Sequence, residues 1–166
     1  GLKYKHNLKL DAGNSGTTAR LLAAILIDSK HNIRITGDES LKKRDMFRII
    51  KPLEMMGARL HSKNGKLPII IQGSRKLIPI KYYEKLGSAQ CKSAVMLAAL
   101  KIPGKTFLKC LPSRNHTELM FKNVLNVPIK LKKLKNYDLI EINGLNNFKS
   151  FNYRIPGDIS SASFFI

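Results

Sequence analysis

The stretch Asp11-Ala12-Gly13-Asn14-Ser15-Gly16-Thr17-Thr18-Ala19-Arg20-Leu21-Leu22-Ala23-Ala24-Ile25-Leu26 decides the fold. Two glycines, small hydroxyl residues and an amide stand immediately before an apolar, helix-forming run. That composition predicts a loop with exposed backbone N–H groups at a helix N-terminus. Unpaired N–H groups and the positive end of the helix dipole converge at such a place, so it binds anions. Taken alone, the stretch reads more simply as a tight turn with a capped helix. No Gly-Lys-Ser/Thr follows, so it is not a Walker-A loop, and it does not fit the dinucleotide fingerprint.

The stretch gains weight because it recurs. Gly13-Asn14-Ser15-Gly16 leads into Leu22-Ala23-Ala24-Ile25, and Gly87-Ser88-Ala89-Gln90 leads into Leu97-Ala98-Ala99-Leu100. Ile69-Ile70-Ile71-Gln72-Gly73 has its counterpart in Ile140-Glu141-Ile142-Asn143-Gly144, and Gly157-Asp158-Ile159-Ser160-Ser161 opens a third copy. An offset of roughly 70 to 75 residues is too long for a thin solenoid and indicates a repeated helix–strand subdomain.

Hydrophobic periodicity fills in the unit. Helices are expected over 16–27, 45–56 (ended by Gly57 as a C′ residue), 88–100 and 116–125. Strands are expected over 32–36, 58–61, 67–72, 77–81, 105–110, 129–134, 138–143 and 152–155. Each unit then reads strand–helix–strand–helix–strand–strand. The fold class is α/β, with sheets outside and helices sharing the core. Ala23, Ala24, Ala98 and Ala99 would let the first helices of the units pack closely. The expected domain covers 1–155, as about two repeats over 1–73 and 74–144 and a linking strand, and 156–166 begins a further unit. The missing initiator Met and the apolar, uncapped end at Ser160 to Ile166 predict a piece of a longer protein.

Composition bounds the function. The 166 residues are 43% hydrophobic, enough for one domain with a real core. No run of 18 or more apolar residues is present, so no membrane helix is expected. Cys91 and Cys110 are too few for a disulfide framework and are not spaced as a metal site, which points to reduced cysteines in a cytoplasmic protein. The net charge of +19 invites a nucleic-acid reading. Most of the lysines, however, are scattered singly, and Lys, Asn and Ile, all with AT-rich codons, are abundant together. The one dense run, Lys130-Leu131-Lys132-Lys133-Leu134-Lys135, reads as a strand with one solvated face. A solvated charge excess is therefore favoured over a nucleic-acid footprint.

Three further motifs fall at strand-to-helix junctions. In Gly37-Asp38-Glu39-Ser40-Leu41-Lys42-Lys43-Arg44, Arg44 could grip a phosphate or carboxylate bidentately, or the motif is a solvated basic turn. In Gly87-Ser88-Ala89-Gln90-Cys91-Lys92-Ser93-Ala94, Ser88 suits an N-cap and the Gln90 amide could meet a hydroxylated, anionic ligand. In Pro112-Ser113-Arg114-Asn115-His116-Thr117-Glu118, Ser113 and Arg114 could bind phosphate. His116 could serve as an acid–base group, but a lone His at a helix start is more often a capping or surface residue. Equivalent junctions of a pseudo-symmetric domain point their helix N-termini toward one end, which makes a concave anion site without a metal. No metal cluster and no Ser–His–Asp grouping stands out.

Together these motifs resemble the EPSP synthase family (3-phosphoshikimate 1-carboxyvinyltransferases). Leu10 to Leu22, Gly37 to Arg44, Gly87 to Ala94, Ser113 to Glu118 and Pro156 to Ala162 follow the family's order and cover nearly the whole chain. The resemblance implies a two-domain fold of βαβαββ units around a pseudo-threefold axis. It implies transfer of the enolpyruvyl group of phosphoenolpyruvate to the 5-hydroxyl of shikimate 3-phosphate, with release of phosphate, in the shikimate pathway to chorismate and the aromatic amino acids. It implies no cofactor, no metal and a monomer whose partners are these small molecules, with no nucleic acid and no membrane. By the same resemblance Gly16, Asn14, Arg44 and Gln90 bind phosphoenolpyruvate, and Ser88, Ala89, Gln90 and Ser113 bind shikimate 3-phosphate. Arg20 is expected to order the loop, and Asp158 receives no catalytic role.

Three positions depart from the family pattern: Asp45 where Pro is usual, Asn115 for Asp, and Leu119 for Arg. The family's Lys-Ser…Arg motif would precede Gly1, and its acid–base groups would follow Ile166. The catalytic residues are thus expected outside this chain, and the chain alone is expected to be inactive. The rival readings are a UDP-N-acetylglucosamine enolpyruvyl transferase, disfavoured because no Cys lies between Gly57 and Ile80, and a basic nucleic-acid-binding domain.

Overall fold

The computed structural model describes residues 7–74, 76–144, 152–154 and 157. The first unit runs β1 (Asn7–Asp11), α1 (Gly16–Ile25), β2 (Asn32–Thr36), α2 (Glu39–Lys43), α3 (Phe47–Met55), β3 (Arg59–Ser62) and β4 (Ile69–Gln72). The second runs β5 (Lys81–Glu84), α4 (Ala89–Ala99), β6 (Lys105–Cys110), α5 (His116–Asn123), β7 (Ile129–Lys133) and β8 (Asp138–Asn143). The sheets have the same order, β1-β2-β4-β3 and β5-β6-β8-β7. In each, the first pair is parallel and the others antiparallel. A helix joins the parallel pair because such strands cannot be linked by a tight turn.

Alternation along the strands sets the inner faces. Ile33, Ile35, Ile69 and Ile71 are fully buried in the first sheet, as Leu108, Cys110, Ile140 and Ile142 nearly are in the second. Each such aliphatic side chain stabilises the fold by about 1.5–3 kcal/mol through removal from water. Between the sheets α1 packs against α4, and α3 against α4. The α1 face is Gly16, Ala19, Ala23 and Ala24, and Ala98 and Ala99 lie at the end of α4. These small side chains bring the helix axes close, as the sequence led us to expect.

Two glycines hold the same place in both units. A Cβ on Gly73 would lie 1.5 Å from the Ser29 carbonyl oxygen, and one on Gly144 would lie 1.9 Å from that of Ile102. In each unit the exit of the last strand is pressed against the chain leaving the first helix, and only glycine fits.

Several boundaries shift. The strand expected over 77–81 is β5, Lys81–Glu84. Pro79 has no N–H to give a ladder, Ile78 N–H bonds to the Met56 carbonyl instead, and pairing begins when Phe107 N–H donates to Ile80 O. The helix expected over 45–56 is α3, preceded by the separate short α2. β1 and α2 were not among the individually expected elements. Most of the Lys130–Lys135 run lies in β7 (Ile129–Lys133), but Lys130, Leu131, Lys132 and Lys133 are all exposed, so both faces of the strand meet solvent and not one as expected. Residues 152–154 form no strand. The third copy of the repeat, Gly157 apart, lies outside the described residues.

Candidate functional site

The junction before α1 is built from its own side chains. The Asp11 carboxylate accepts from Gly13 N–H at 2.9 Å. Ser15 caps the helix, its Oγ accepting from Thr18 N–H at 3.1 Å and Thr18 Oγ1–H at 2.8 Å. Gly16 begins the helix and is buried.

Two guanidinium groups close over Gly16. A Cβ there would stand 3.0 Å from Arg20 Nη1 and 3.4 Å from Arg44 Nη1. Arg44 follows α2 as its C-cap and donates through Nη2 to Asn14 Oδ1 at 2.9 Å. Asn14 donates through Nδ2 to Asp38 Oδ2 at 2.5 Å, and Asp38 Oδ1 accepts from Leu41 N–H at 2.7 Å. The Leu41 N–H, and then the Asn14 amide, hold the Asp38 carboxyl below its ordinary value of 3.8.

The second unit reaches into the same place. Gln90, in the first turn of α4, accepts through Oε1 from Arg20 Nη1 and donates through Nε2 to Thr17 Oγ1, the latter at 2.6 Å. Arg20 Nη2 donates to the Asp45 carbonyl at 3.1 Å. Arg20 thus ties the start of α4 and the entry of α3 to α1, through the Gln90 side chain and the Asp45 carbonyl. Gly16, Asn14, Arg44 and Gln90, four residues singled out from sequence, therefore form one cluster.

Ser88 and Ala89 lie beside Gln90 at the start of α4. Ser88 Oγ accepts from Cys91 N–H at 3.3 Å. The turn before it is held by Glu84, whose carboxylate accepts from Leu86 N–H at 3.0 Å and Ser88 N–H at 3.1 Å. The turn also packs against the chain leaving β6, since a Cβ on Gly87 would lie 3.8 Å from the Pro112 carbonyl oxygen. That brings the Ser113 loop beside Ser88. Ser113 Oγ is buried and, among the described residues, has no hydrogen-bond partner. No described hydrogen bond joins Ser113 or Arg114 to the Gly16 cluster. His116 is exposed on the first turn of α5.

Four residues were missed from sequence. Thr17 holds Gln90, and Asp38 holds Asn14. Lys92 and Glu118 form an ion pair at 2.6 Å, with side chains 0% and 2% exposed. Next to it, Ser93 and Thr117 share a 2.6 Å hydroxyl bond, so α4 and α5 are joined twice. The signal for the pair was a lysine inside the otherwise small and apolar run Cys91 to Ala99. The Asp45 departure has a local account. Its Oδ1 accepts from Phe47 N–H, the first of α3, at 2.8 Å, from the position before the Met46 N-cap, which itself makes no side-chain cap bond. Asn115 makes no side-chain cap bond to α5, and Leu119 is 47% exposed.

Cys91 and Cys110 are free and buried. Burial raises both thiols, Cys110 to about 11. Among the described residues no group of three His, Cys, Asp or Glu side chains could hold a metal ion, and no helix is long and apolar enough to cross a membrane.

The sequence matches the model of the family "EPSP synthase (3-phosphoshikimate 1-carboxyvinyltransferase)" over residues 2–166. It is 46% identical over its full length to the 3-phosphoshikimate 1-carboxyvinyltransferase of Ruthia magnifica subsp. Calyptogena magnifica, and 43% identical to that of Legionella pneumophila strain Philadelphia 1. It spans 37% of the length of each of these relatives. The EPSP synthase from Acinetobacter baumannii superimposes with a TM-score of 0.80 at 39% identity, over 95% of this chain and 35% of that one.

Proposed function

The chain belongs to the EPSP synthase (3-phosphoshikimate 1-carboxyvinyltransferase) family, and we propose that its two helix starts form part of the substrate cleft of such an enzyme. The reaction is transfer of the enolpyruvyl group of phosphoenolpyruvate to the 5-hydroxyl of shikimate 3-phosphate. The hydroxyl adds to the enolpyruvyl carbon as a proton adds to the methylene. Loss of phosphate and of a proton then restores the double bond. No cofactor or metal enters this reading.

One observation carries it: the Arg44 guanidinium stands over the buried Gly16 at a helix N-terminus, with Gln90 of the other unit alongside. Backbone N–H groups and a planar guanidinium aimed at one point suit a phosphate. In this reading Gly16 N–H and Arg44 bind the phosphate of phosphoenolpyruvate, Asn14 steadies Arg44, and Gln90 touches both substrates. Ser88, the Ala89 backbone and Ser113 hold shikimate 3-phosphate in this reading, and the buried Ser113 Oγ, which has no partner among the described residues, has a hydrogen bond left to make.

The acid–base groups come from outside the 166 residues, so the chain alone has no turnover and binds its ligands weakly. We also propose a domain over 1–155, with repeats at 1–73 and 74–144 and a further unit opening at 156–166, in a monomeric cytoplasmic enzyme. Titration calorimetry with phosphoenolpyruvate and shikimate 3-phosphate tests the cleft. Wild-type binding that Arg44→Ala abolishes supports it, and equal binding by both chains overturns it.

A further inference from the structure

The family's recognition motifs do not explain why a carboxylate stands beside the proposed phosphate site. Asp38 is exposed and next to Arg44, where its charge opposes an incoming anion. It is not a counter-ion in direct contact, because Arg44 Nη2 bonds to Asn14 and not to Asp38. Its two oxygens do different things. Oδ1 caps α2 by accepting Leu41 N–H, and Oδ2 accepts the Asn14 amide N–H.

We infer that Asp38 is a positioning residue that fixes the orientation of the Asn14 side-chain amide and so aims Arg44 over Gly16. This rests on the phosphate-binding reading above. An ionised carboxylate is an acceptor only, so the Asn14 face turned toward it must be the NH₂. The amide oxygen is then turned toward Arg44, a donor only, which it accepts at 2.9 Å. Acceptor, amide and donor make a relay with one allowed direction. The backbone holds both ends: Asp38 N–H donates to the Gly13 carbonyl at 2.9 Å, beside Asn14, and α2 spans only the five residues between Asp38 and Arg44. The side chain that starts this turn therefore controls the one that ends it, through a residue of the α1 loop.

Two variants separate this role from its rivals. Ser and Asn both cap helices well, so Asp38→Ser and Asp38→Asn keep α2 and both remove the charge. In Asp38→Ser the Asn14 amide loses its fixed direction. In Asp38→Asn capping through Oδ1 turns an NH₂ toward Asn14, which favours the flipped amide and sets its NH₂ against Arg44. Binding of phosphoenolpyruvate is expected to weaken by about ten-fold in Asp38→Ser, the scale of one charge-assisted hydrogen bond, and further in Asp38→Asn. A merely structural cap predicts no change in either. A merely repulsive charge predicts tighter binding in both. Either result overturns the inference.

A ligand-free measurement keeps the two claims apart. Nitrogen-resolved NMR of the chain should show slowed exchange of the Arg44 Nη hydrogens and a shifted Asn14 side-chain amide. Both signals should move to solvent-like values in Asp38→Ser, with the α2 amides unchanged. If the wild-type chain binds no phosphoenolpyruvate, the phosphate-site reading falls and this spectrum still decides the relay. If the Arg44 hydrogens exchange freely in the wild type, the relay falls.

Discussion

The two units share sheet order, helix order but for the extra α2 of the first, and even the glycine that seals the last strand, yet they use their charges oppositely. In the first, Asp38, Asn14 and Arg44 form a chain at the surface, and the guanidinium is left facing outward over Gly16. In the second, Lys92 and Glu118 are withdrawn from solvent and pair through Nζ and Oε1 between α4 and α5, while Glu118 Oε2 has no partner among the described residues. A topology fixes where a helix begins, but not whether the charges near that start are offered to a ligand or consumed in packing. The first unit presents its basic group, and the second uses its own to hold the platform on which Gln90, Ser88 and Ser113 stand.

That contrast makes its strongest prediction for stability. Lys92→Ala leaves Glu118 buried without a countercharge and should cost about 3–5 kcal/mol in urea denaturation. Arg44→Ala, its exposed counterpart, should cost less than about 1 kcal/mol. Replacing both partners, Lys92→Met with Glu118→Leu, should recover most of the loss, because an apolar pair of similar volume needs no desolvation of charge. If Lys92→Ala and Arg44→Ala cost the same, the division of labour between the units is wrong.

The next effect tests what the units have in common. Gly73→Ala and Gly144→Ala each drive a methyl group into a backbone carbonyl that cannot swing aside. Both should lose about 1–3 kcal/mol, read from thermal denaturation. The approach is closer at Gly73, 1.5 Å against 1.9 Å, so its loss should be the larger. A cost in one unit alone would show that the matched glycines are not equivalent.

How much of this was legible follows from which residues carry the signal. β6 and β8 could be bounded to the residue because Lys105 to Cys110 and Asp138 to Asn143 alternate cleanly between inner and outer faces. The repeated glycine and small-residue runs placed α1 and α4, with Gly16, Asn14 and Gln90 at their starts, while Arg44 came from the separate Gly37 to Arg44 motif and the binding roles of all four from the family resemblance. β5 was displaced because Leu77, Ile78 and Ile80 are as apolar as a strand, and only the hydrogen-bond partners show that pairing starts later. The α2 helix carried its own mark in sequence, an Asp38 cap with Glu39 first and Lys42 and Lys43 last, but five residues are too few to give a period. What could not be read was side-chain direction across the units. That Gln90 would meet Arg20 and Thr17, or that Lys92 would find Glu118, depends on how α1, α4 and α5 are set against one another, and no local pattern contains it.

The helix caps bring the comparison to smaller energies. Ser15→Ala and Ser88→Ala should each lose about 1 kcal/mol. Ser15 should lose more, since its Oγ accepts two bonds at 3.1 and 2.8 Å while Ser88 accepts one at 3.3 Å. Reversing that order would place the better-anchored helix start in the second unit.

The smallest effect is the acid limb of stability, and it belongs to the first unit alone. Asp38 in the fold ionises below its ordinary 3.8, because Leu41 N–H and the Asn14 amide both bond to its charged form. Above that value the group is ionised in folded and unfolded chains alike, and its bonds contribute in full. As the pH falls below 3.8 the unfolded chain takes up the proton first, so the contribution shrinks until the folded carboxyl is protonated too. Asp38→Ser should therefore flatten the loss of stability below about pH 4 while leaving the slope at higher pH unchanged. Exposure keeps the difference slight, so a pair of urea series above and below that pH is the measurement that resolves it. An acid limb identical in the two chains would mean that neither the Leu41 nor the Asn14 bond to Asp38 persists in solution, and the outward-facing chain of the first unit would lose the link that distinguishes it from the buried pair of the second.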